Sequence, residues 1–263
     1  MTLKRNAFYA QSGGVTSVIN ASACGVIETA AKSKKINKVL CGQNGILGAL
    51  NENLIDTSKE SKSTIAKLKN TPGGAFGSCR FKLQDPVAQK KDYDRLFEVF
   101  AAHDIGYFFY NGGGDSQDTT YKISEMAKKL KFPVQCIGVP KTVDNDLPFT
   151  DCSPGFGSVA KYVATSTLEA GLDVKSMAET STKVFILEVM GRHAGWIAAS
   201  SCLAATKAGD PPHIILLPEV PFEKSKFISQ VKQMVKQNGY CVIIASEGTQ
   251  TKNGKFLADS GLT

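Results

Sequence analysis

The chain has 263 residues, of which 42% are hydrophobic and 21% are charged, as is typical of a globular protein with one large or two small domains. No apolar run approaches the ~20 residues of a membrane-spanning helix, and the first residues lack a signal peptide, so we expect no membrane partner. The net charge of +7 comes from scattered lysines, which argues against a nucleic-acid partner and suits the attraction of small anions.

The predicted elements alternate between strand and helix along the chain. Apolar runs predict strands at 6–11, 38–42, 105–111, 133–139, 181–190, 212–218 and 240–246. Apolar residues at helical spacing predict helices between them, including 15–32, 92–104 and 118–131. The segment 43–90 is polar and is predicted to be rich in loops. The seven cysteines form no C-x-x-C pair, so we expect free, mostly buried thiols in a reducing cytoplasm and no zinc site.

This alternation predicts an α/β fold with a Rossmann-like, three-layer parallel sheet and helices on both faces. Ligands of such sheets bind beyond the carboxyl ends of the strands. Five of the predicted strands end in segments that contain Gly, Asp, Arg or Glu: QSGG (11–14), GGGDS (112–116), PKTVDND (140–146), MGRHAGW (190–196) and SEG (246–248). We therefore expect the functional site at these strand ends.

Two glycine-rich turns each join a strand to a helix. Gly13 and Gly14 are suited to phosphate binding at a helix N-terminus, and a tight turn without a ligand is the alternative. The three glycines 112–114 exceed what a helix cap needs and favour a ligand that lies on the backbone, although Asp115 or Ser116 would also serve as an ordinary N-cap. The sequence has neither a P-loop motif nor a G-x-G-x-x-G fingerprint after the first strand.

The segment 140–146 combines two carboxylates with a lysine. If the segment is extended, Asp144 and Asp146 point to the same side, so that one acts as a general base and the other binds Mg²⁺; a turn is the alternative. Lys141 either bridges phosphates or is simply solvated. Together with a neighbouring glycine-rich loop, these residues match the requirements of phosphoryl transfer.

Two further strand ends carry groups that suit a sugar phosphate. Arg192 can grip a phosphate or a hydroxyl with its planar guanidinium, and a surface ion pair is the alternative. Glu247 would accept sugar hydroxyls or a backbone N–H. His193 is given no role, and Trp196 is predicted to lie in a helix core.

The order and spacing of these segments resemble those of the phosphofructokinase family. Two further segments of the chain contribute to the resemblance, SGGVTSVINA (12–21) and GGAFGSCRF (73–81). The resemblance spans almost the whole chain. It implies transfer of a phosphoryl group to the 1-hydroxyl of fructose 6-phosphate, giving fructose 1,6-bisphosphate, with Mg²⁺ as cofactor.

The resemblance also assigns roles to single residues. Asp144 is the expected proton acceptor, and Asp146 is the expected magnesium-associated carboxylate. Gly114 stands at a position near the metal where the family often has Asp or Asn. A direct side-chain ligand to the metal is therefore missing at this position. The expected donor-binding residues are Gly14, Arg80, Gly113, Gly114 and Ser116. The expected sugar-binding residues are Thr142, Val143, Asp144, Lys183, Met190, Gly191, Arg192 and Glu247.

Two positions bear on the identity of the phosphoryl donor. Members that use ATP typically have GGDGS and PGTIDND where this chain has GGGDS and PKTVDND. Asp115 and Lys141 make the chain similar to the pyrophosphate-dependent branch, and both are expected to be catalytic residues. Asp115 would repel the α-phosphate of ATP, and Lys141 would neutralise charge on the leaving phosphate. We expect pyrophosphate as the donor, and ATP is the alternative.

The resemblance implies two domains, residues 1–147 for the donor and Mg²⁺ and residues 148–263 for the sugar phosphate. Family members continue well beyond the final GKFLADSGLT, so we expect the second domain to be smaller and truncated. An inactive fragment or a non-catalytic phosphate-binding subunit is the alternative function. Lys183 stands where many members have an arginine that reaches the sugar phosphate of a neighbouring subunit, which implies a homo-oligomer, either a dimer or a tetramer.

Overall fold

The computed structural model describes residues 4–259, which form two compact units that divide between Thr142 and Val143. The resemblance described above predicted a domain boundary after residue 147. The first unit contains a five-stranded sheet in the order β3-β2-β1-β4-β5. Its strands are β1 (Arg5–Gln11), β2 (Ile36–Gly42), β3 (Leu54–Asp56), β4 (Ile105–Gly112) and β5 (Gln135–Pro140). All neighbours in this sheet are parallel except β2 and β3, which are antiparallel.

Helices cover both faces of the first sheet, as predicted. They are α1 (Ile19–Lys32), α2 (Ile46–Leu50), α3 (Lys62–Lys67), α4 (Lys90–Ala102) and α5 (Gly114–Lys129). Side chains of β1 alternate between the faces: Phe8 packs in a hydrophobic cluster with residues of α2, α4 and α5, and Tyr9 packs in another with residues of α1 and α3. The three-layer α/β fold is therefore confirmed, with β1 at its centre.

The segment 43–90 is rich in loops, as predicted, and also contains the short elements α2, β3 and α3, whose residues Ile46, Ala49 and Ile65 are buried. The local structure differs from the predictions at two places. Helix α1 begins at Ile19, whereas the sequence predicted a helix from residue 15. Helix α5 begins at Gly114, inside the GGGDS motif, which brings the motif into the first turn of the helix.

The second unit contains a parallel three-stranded sheet in the order β6-β8-β7. Its elements are α6 (Phe156–Met177), β6 (Val184–Val189), α7 (Trp196–Ser200), β7 (Ile214–Leu216), α8 (Lys224–Asn238) and β8 (Cys241–Ser246). Helices α6 and α7 pack on one face of β8 and α8 packs on the other. The expectation of a second, smaller α/β domain is confirmed.

The sequence predicted that Trp196 lies in a helix core, and this prediction is wrong. Trp196 is 56% exposed, and the core positions of its short helix are Ile197 and Ala198. All seven cysteines are free thiols; Cys152 and Cys202 are exposed, whereas Cys24, Cys41 and Cys241 are buried. Across residues 4–259, the structure has no helix that combines the length and the apolar character needed to cross a membrane.

Candidate functional site

The first sheet has its topological switch point between β1 and β4. Strands β2 and β3 continue on one side of β1, and β4 and β5 lie on the other. Gln11 and Asn111 are paired at the ends of β1 and β4, so the two glycine-rich turns are neighbours. A cavity of about 260 Å³ lies there, which is below the ~300–1,000 Å³ of pockets for drug-sized ligands and suits a smaller one. We call it the glycine-lined cavity; its lining residues are Ser12, Gly13, Gly14, Cys79, Arg80, Phe81, Lys82, Gly113, Gly114, Asp115, Ser116 and Lys141.

The first glycine turn is held by the segment that carries Arg80. Gly13 has a φ of +75°, a left-handed conformation that favours glycine. Its N–H donates to the Cys79 carbonyl at 2.9 Å, and its carbonyl accepts from Ser78 Oγ at 2.6 Å. A Cβ on Gly14 would lie 3.4 Å from Nη2 of Arg80. Both predicted donor-binding residues, Gly14 and Arg80, therefore line one wall of the cavity.

Lys141 connects the end of β5 to both glycine turns. Its backbone N–H donates to the Gly112 carbonyl at 3.0 Å, and its Nζ donates to the Gly14 carbonyl. The residue is only 8% exposed, so the alternative of a solvated lysine is wrong. Lysine is seldom buried unless its charge has partners, and the Gly14 carbonyl is one such partner.

The second glycine turn opens helix α5. Gly113 is the N-cap, and no side chain makes a capping hydrogen bond, so neither Asp115 nor Ser116 is the N-cap. Ser116 is buried beside Gly112, where a Cβ would lie 2.1 Å from its Oγ. The first N–H groups of a helix have no acceptor within the helix, and the helix dipole adds positive potential there. This end of α5 is therefore suited to an anion.

Asp115 lies in the first turn of α5 and forms an ion pair that the sequence did not reveal. Its Oδ1 accepts from Nζ of Lys82 at 2.7 Å, and both residues line the glycine-lined cavity. The hydrogen bond to Asp115 raises the pKa of Lys82 above its usual value, so Lys82 is a cation at neutral pH. The carboxylate predicted to exclude ATP is thus accompanied by a cation.

A buried polar network lies directly before the two glycine turns. Nε2 of Gln11 donates to Oδ1 of Asn20 at 3.0 Å, and Nδ2 of Asn111 donates to the Tyr9 hydroxyl at 2.8 Å. Asn20 also donates to the Thr71 carbonyl at 2.9 Å, which attaches α1 to the segment before the cavity. Burial raises the pKa of Tyr9 to about 12. Its hydroxyl therefore stays neutral at pH 7 and accepts the hydrogen bond from Asn111. The network fixes the ends of β1 and β4 relative to each other.

In the second unit, Asn145 shapes the loop that carries the two predicted carboxylates. Its φ is +56°, so the segment is not extended there, and the geometry assumed for a common side of Asp144 and Asp146 does not apply. Oδ1 of Asn145 accepts from the Ser153 N–H at 2.7 Å, and Nδ2 donates to the Asp151 carbonyl at 3.2 Å. Asp146 is exposed, whereas Asp144 is only partly exposed and its Oδ1 is buried.

The sugar-binding residues predicted on β6 and β8 do lie together. Val189 and Ser246 are paired at the ends of these parallel strands, so the segments 190–192 and 247–248 are neighbours. The Gly191 N–H donates to Oε1 of Glu247 at 3.4 Å, which agrees with the backbone-binding alternative considered for Glu247.

Two glycines permit this close approach. Ser246 Oγ donates to the Gly191 carbonyl at 2.7 Å, and Gly191 has a φ of +118°. A Cβ on Gly248 would lie 2.0 Å from the Arg192 carbonyl oxygen, so only glycine fits there. The two loops are in direct backbone contact.

Arg192 and Lys183 both remain accessible. The guanidinium carbon of Arg192 lies 5.7 Å from the ring centre of Phe256, a contact that the sequence did not predict. Nζ of Lys183 donates to the Ala178 carbonyl at 2.5 Å, at the end of α6. Met190 is 56% exposed, as expected of a residue that contacts a ligand.

Among residues 4–259 no group of three or more His, Cys, Asp or Glu side chains forms a metal cage. Mg²⁺ does not require such a cage, because it commonly binds through one or two carboxylates together with substrate phosphates and water. A Cβ on Gly114 would meet no atom within 4 Å, so this predicted metal position faces open space. Asp146, the carboxylate predicted to be associated with the metal, is exposed.

The predicted residues divide between the two units. Gly14, Arg80, the 113–116 turn, Lys141 and Thr142 belong to the first, and the others belong to the second. The sequence missed Lys82 and Phe256, because their partners Asp115 and Arg192 lie far away along the chain. Asn145 carried a detectable signal, since Asn is the residue other than glycine most often found with positive φ.

The sequence profile named Phosphofructokinase matches residues 6–261, and the chain belongs to this family. Pyrophosphate--fructose 6-phosphate 1-phosphotransferase of Halomonas elongata is 62% identical over 261 residues, which cover 99% of this chain. The protein of the same name from Methylococcus capsulatus is 58% identical over 98% of the chain. A crystal structure of pyrophosphate-dependent phosphofructokinase from Marinobacter aquaeolei superimposes on 94% of the chain with a TM-score of 0.87 and 68% identity.

The chain spans less than two thirds of the length of these relatives. It covers 62% of the Halomonas protein, 61% of the Methylococcus protein and 62% of the Marinobacter chain. The fold and the family are therefore established by the match, and the activity of the whole protein is a separate question.

Proposed function

We propose that this chain carries the donor site and part of the sugar site of a pyrophosphate-dependent phosphofructokinase. The reaction is transfer of a phosphoryl group from pyrophosphate to the 1-hydroxyl of fructose 6-phosphate, giving fructose 1,6-bisphosphate and phosphate. The observation that carries the proposal is the placement of Asp115 and buried Lys141 in one small, glycine-lined cavity. The names of the similar relatives support the same donor.

In this mechanism the protein mainly positions the donor and stabilises charge. Lys141, Arg80 and the N-terminus of α5 bind the pyrophosphate, and Lys141 offsets the charge that develops on the leaving phosphate. Asp115 disfavours ATP because its carboxylate repels an additional phosphate.

On the sugar side, Asp144 takes the proton of the 1-hydroxyl. Arg192 and Lys183 supply positive charge for the sugar phosphate, and Glu247 orients the Gly191 backbone. The remaining predicted contacts are Thr142, Val143 and Met190. Transfer is direct, without a covalent enzyme intermediate.

Mg²⁺ is part of the proposal and would be held by Asp146 together with the donor phosphates. When bound, it neutralises phosphate charge. We expect a chelator to abolish turnover and added Mg²⁺ to restore it. A homo-oligomer and a cytoplasmic location also belong to the proposal; the seven free thiols support a reducing compartment.

The deciding experiment measures fructose 1,6-bisphosphate formation from fructose 6-phosphate and Mg²⁺, with pyrophosphate and ATP as parallel donors. The full-length Halomonas relative serves as the positive control. Turnover with pyrophosphate alone is the expected result. Turnover with ATP alone would overturn the role given to Asp115.

The second candidate function is binding of phosphates without catalysis. Calorimetric titration, together with the assay for product, distinguishes catalysis from binding without catalysis. Binding of pyrophosphate and fructose 6-phosphate without product formation would establish this second candidate.

A further inference from the structure

Lys82 and Asp115 form an ion pair at the glycine-lined cavity, 33 residues apart in the sequence. The side chains are 45% and 75% exposed, and such exposed pairs contribute little to folding stability. The importance of this pair therefore lies in where it places charge within a phosphate site.

The backbone at Lys82 is anchored on both sides. Leu83 is completely buried in the hydrophobic cluster that contains Phe8, and Phe81 packs against the same cluster. Lys82 lies between these two anchored residues, and its ammonium points to the first turn of α5. The residues on either side of Lys82 are thus anchored in the core, and its side chain reaches the helix that carries Asp115.

The charges around the cavity show what Lys82 contributes. Its lining includes three cations, Arg80, Lys82 and Lys141, and one carboxylate, Asp115, so the formal balance is 3 − 1 = +2. Magnesium pyrophosphate carries a formal charge of about −2, which this balance matches. Without Lys82 the balance would be +1, with an uncompensated carboxylate facing the ligand.

We propose that Lys82 is a positioning residue whose ion pair with Asp115 offsets the charge of this carboxylate at the wall of the cavity, so that magnesium pyrophosphate binds beside it. This inference rests on the proposed function, because it assumes that the cavity takes pyrophosphate. Lys82 acts through Asp115 and does not itself take part in phosphoryl transfer.

A double-mutant cycle tests whether Lys82 acts through Asp115. The variants of the 263-residue chain are Lys82→Met, Asp115→Gly and the double substitution. Calorimetry measures the dissociation constant of magnesium pyrophosphate for each of them. We expect Lys82→Met to weaken binding about tenfold, or about 1.4 kcal/mol. In the Asp115→Gly background the same substitution should weaken binding only about twofold. An equal effect in both backgrounds would overturn the proposal, since it would mean that Lys82 binds phosphate directly.

Two further variants control for charge and folding. Lys82→Arg keeps the ion pair and should restore binding to within about threefold of the unsubstituted chain. Lys122→Met removes a similar pair on the same helix, between Nζ of Lys122 and Oδ2 of Asp118 at 2.6 Å, and should leave pyrophosphate binding unchanged. If Lys122→Met had the same effect as Lys82→Met, general loss of charge would explain the result and the proposal would be wrong.

The failure of this proposal can be distinguished from failure of the proposed function. If the unsubstituted chain binds pyrophosphate and Lys82→Met binds it equally well, only the role of Lys82 is refuted. If the unsubstituted chain binds no pyrophosphate, both are refuted. Where turnover is measurable, Lys82→Met should raise the KM for pyrophosphate and leave kcat within about threefold.

Discussion

At the scale of single residues, the structure adds burial and backbone conformation to what the sequence shows. Lys141 is a buried cation, and Asn145 holds a left-handed turn with two side-chain hydrogen bonds. Both lie within the segment whose clustered charges mark it in the sequence. Neither the burial nor the turn could be read from those charges.

Asp144→Asn should abolish most of the activity. The amide cannot take the hydroxyl proton, so we expect kcat to fall by about 10²–10⁴. Binding of pyrophosphate should change by less than about twofold, because Asp144 is assigned to the sugar. Steady-state kinetics and calorimetry measure the two effects.

Asp151→Asn is the matched control for that substitution. Asp151 lies in the same loop, and only its backbone carbonyl is used by Asn145. It should retain normal kcat. Comparable activity of the Asp144 and Asp151 variants would show that Asp144 is not the base.

Asn145→Ala should lower the free energy of unfolding by about 2–3 kcal/mol. The substitution removes two hydrogen bonds of about 1 kcal/mol each and adds the strain of a left-handed alanine. Asn145→Gly loses the same bonds without that strain and should be about 1 kcal/mol more stable than the alanine variant. Urea unfolding gives both values; equal stability of the two variants would argue against a strained turn.

At the scale of elements, the junction of β4 and α5 sets the shape of the glycine-lined cavity. The three glycines 112–114 look alike in the sequence, but they have different surroundings. A Cβ on Gly112 would collide with Ser116, whereas a Cβ on Gly114 would point into open space. One glycine serves the packing of the helix against the strand, and the other leaves room for a ligand.

Gly112→Ala should therefore destabilise the protein, and Gly114→Ala should not. We expect the first to lower the unfolding free energy by about 1–3 kcal/mol, as for an overpacked site. The second should keep the unfolding midpoint but weaken pyrophosphate binding about tenfold or more. If Gly114→Ala bound pyrophosphate normally, the ligand would not lie over this turn.

At the scale of the whole molecule, the assigned groups divide between two compact units with separate hydrophobic clusters. Donor groups belong mainly to the first unit and sugar groups to the second. Each ligand should therefore protect a different set of backbone amides from hydrogen exchange.

Hydrogen exchange with each ligand alone should show this division. Magnesium pyrophosphate should protect amides at 12–14, 79–82 and 113–116, and fructose 6-phosphate should protect those at 190–192 and 246–248. Bound ligand should also raise the melting temperature, by an amount that grows with the logarithm of the ligand concentration above the dissociation constant. Protection of 190–192 by pyrophosphate alone would contradict the assignment of the donor to the first unit.

The sequence by itself determined the alternation of strands and helices, the strand ends at which the candidate site residues lie, and the family. These features are local: apolar periodicity fixes each element, and parallel strands place their carboxyl ends at one edge. Only the tertiary structure decided that Lys141 is buried, that Asp115 is paired with Lys82 and that Arg192 lies over Phe256. These facts depend on contacts between distant segments, and no local pattern specifies which loops will meet once the sheets are packed.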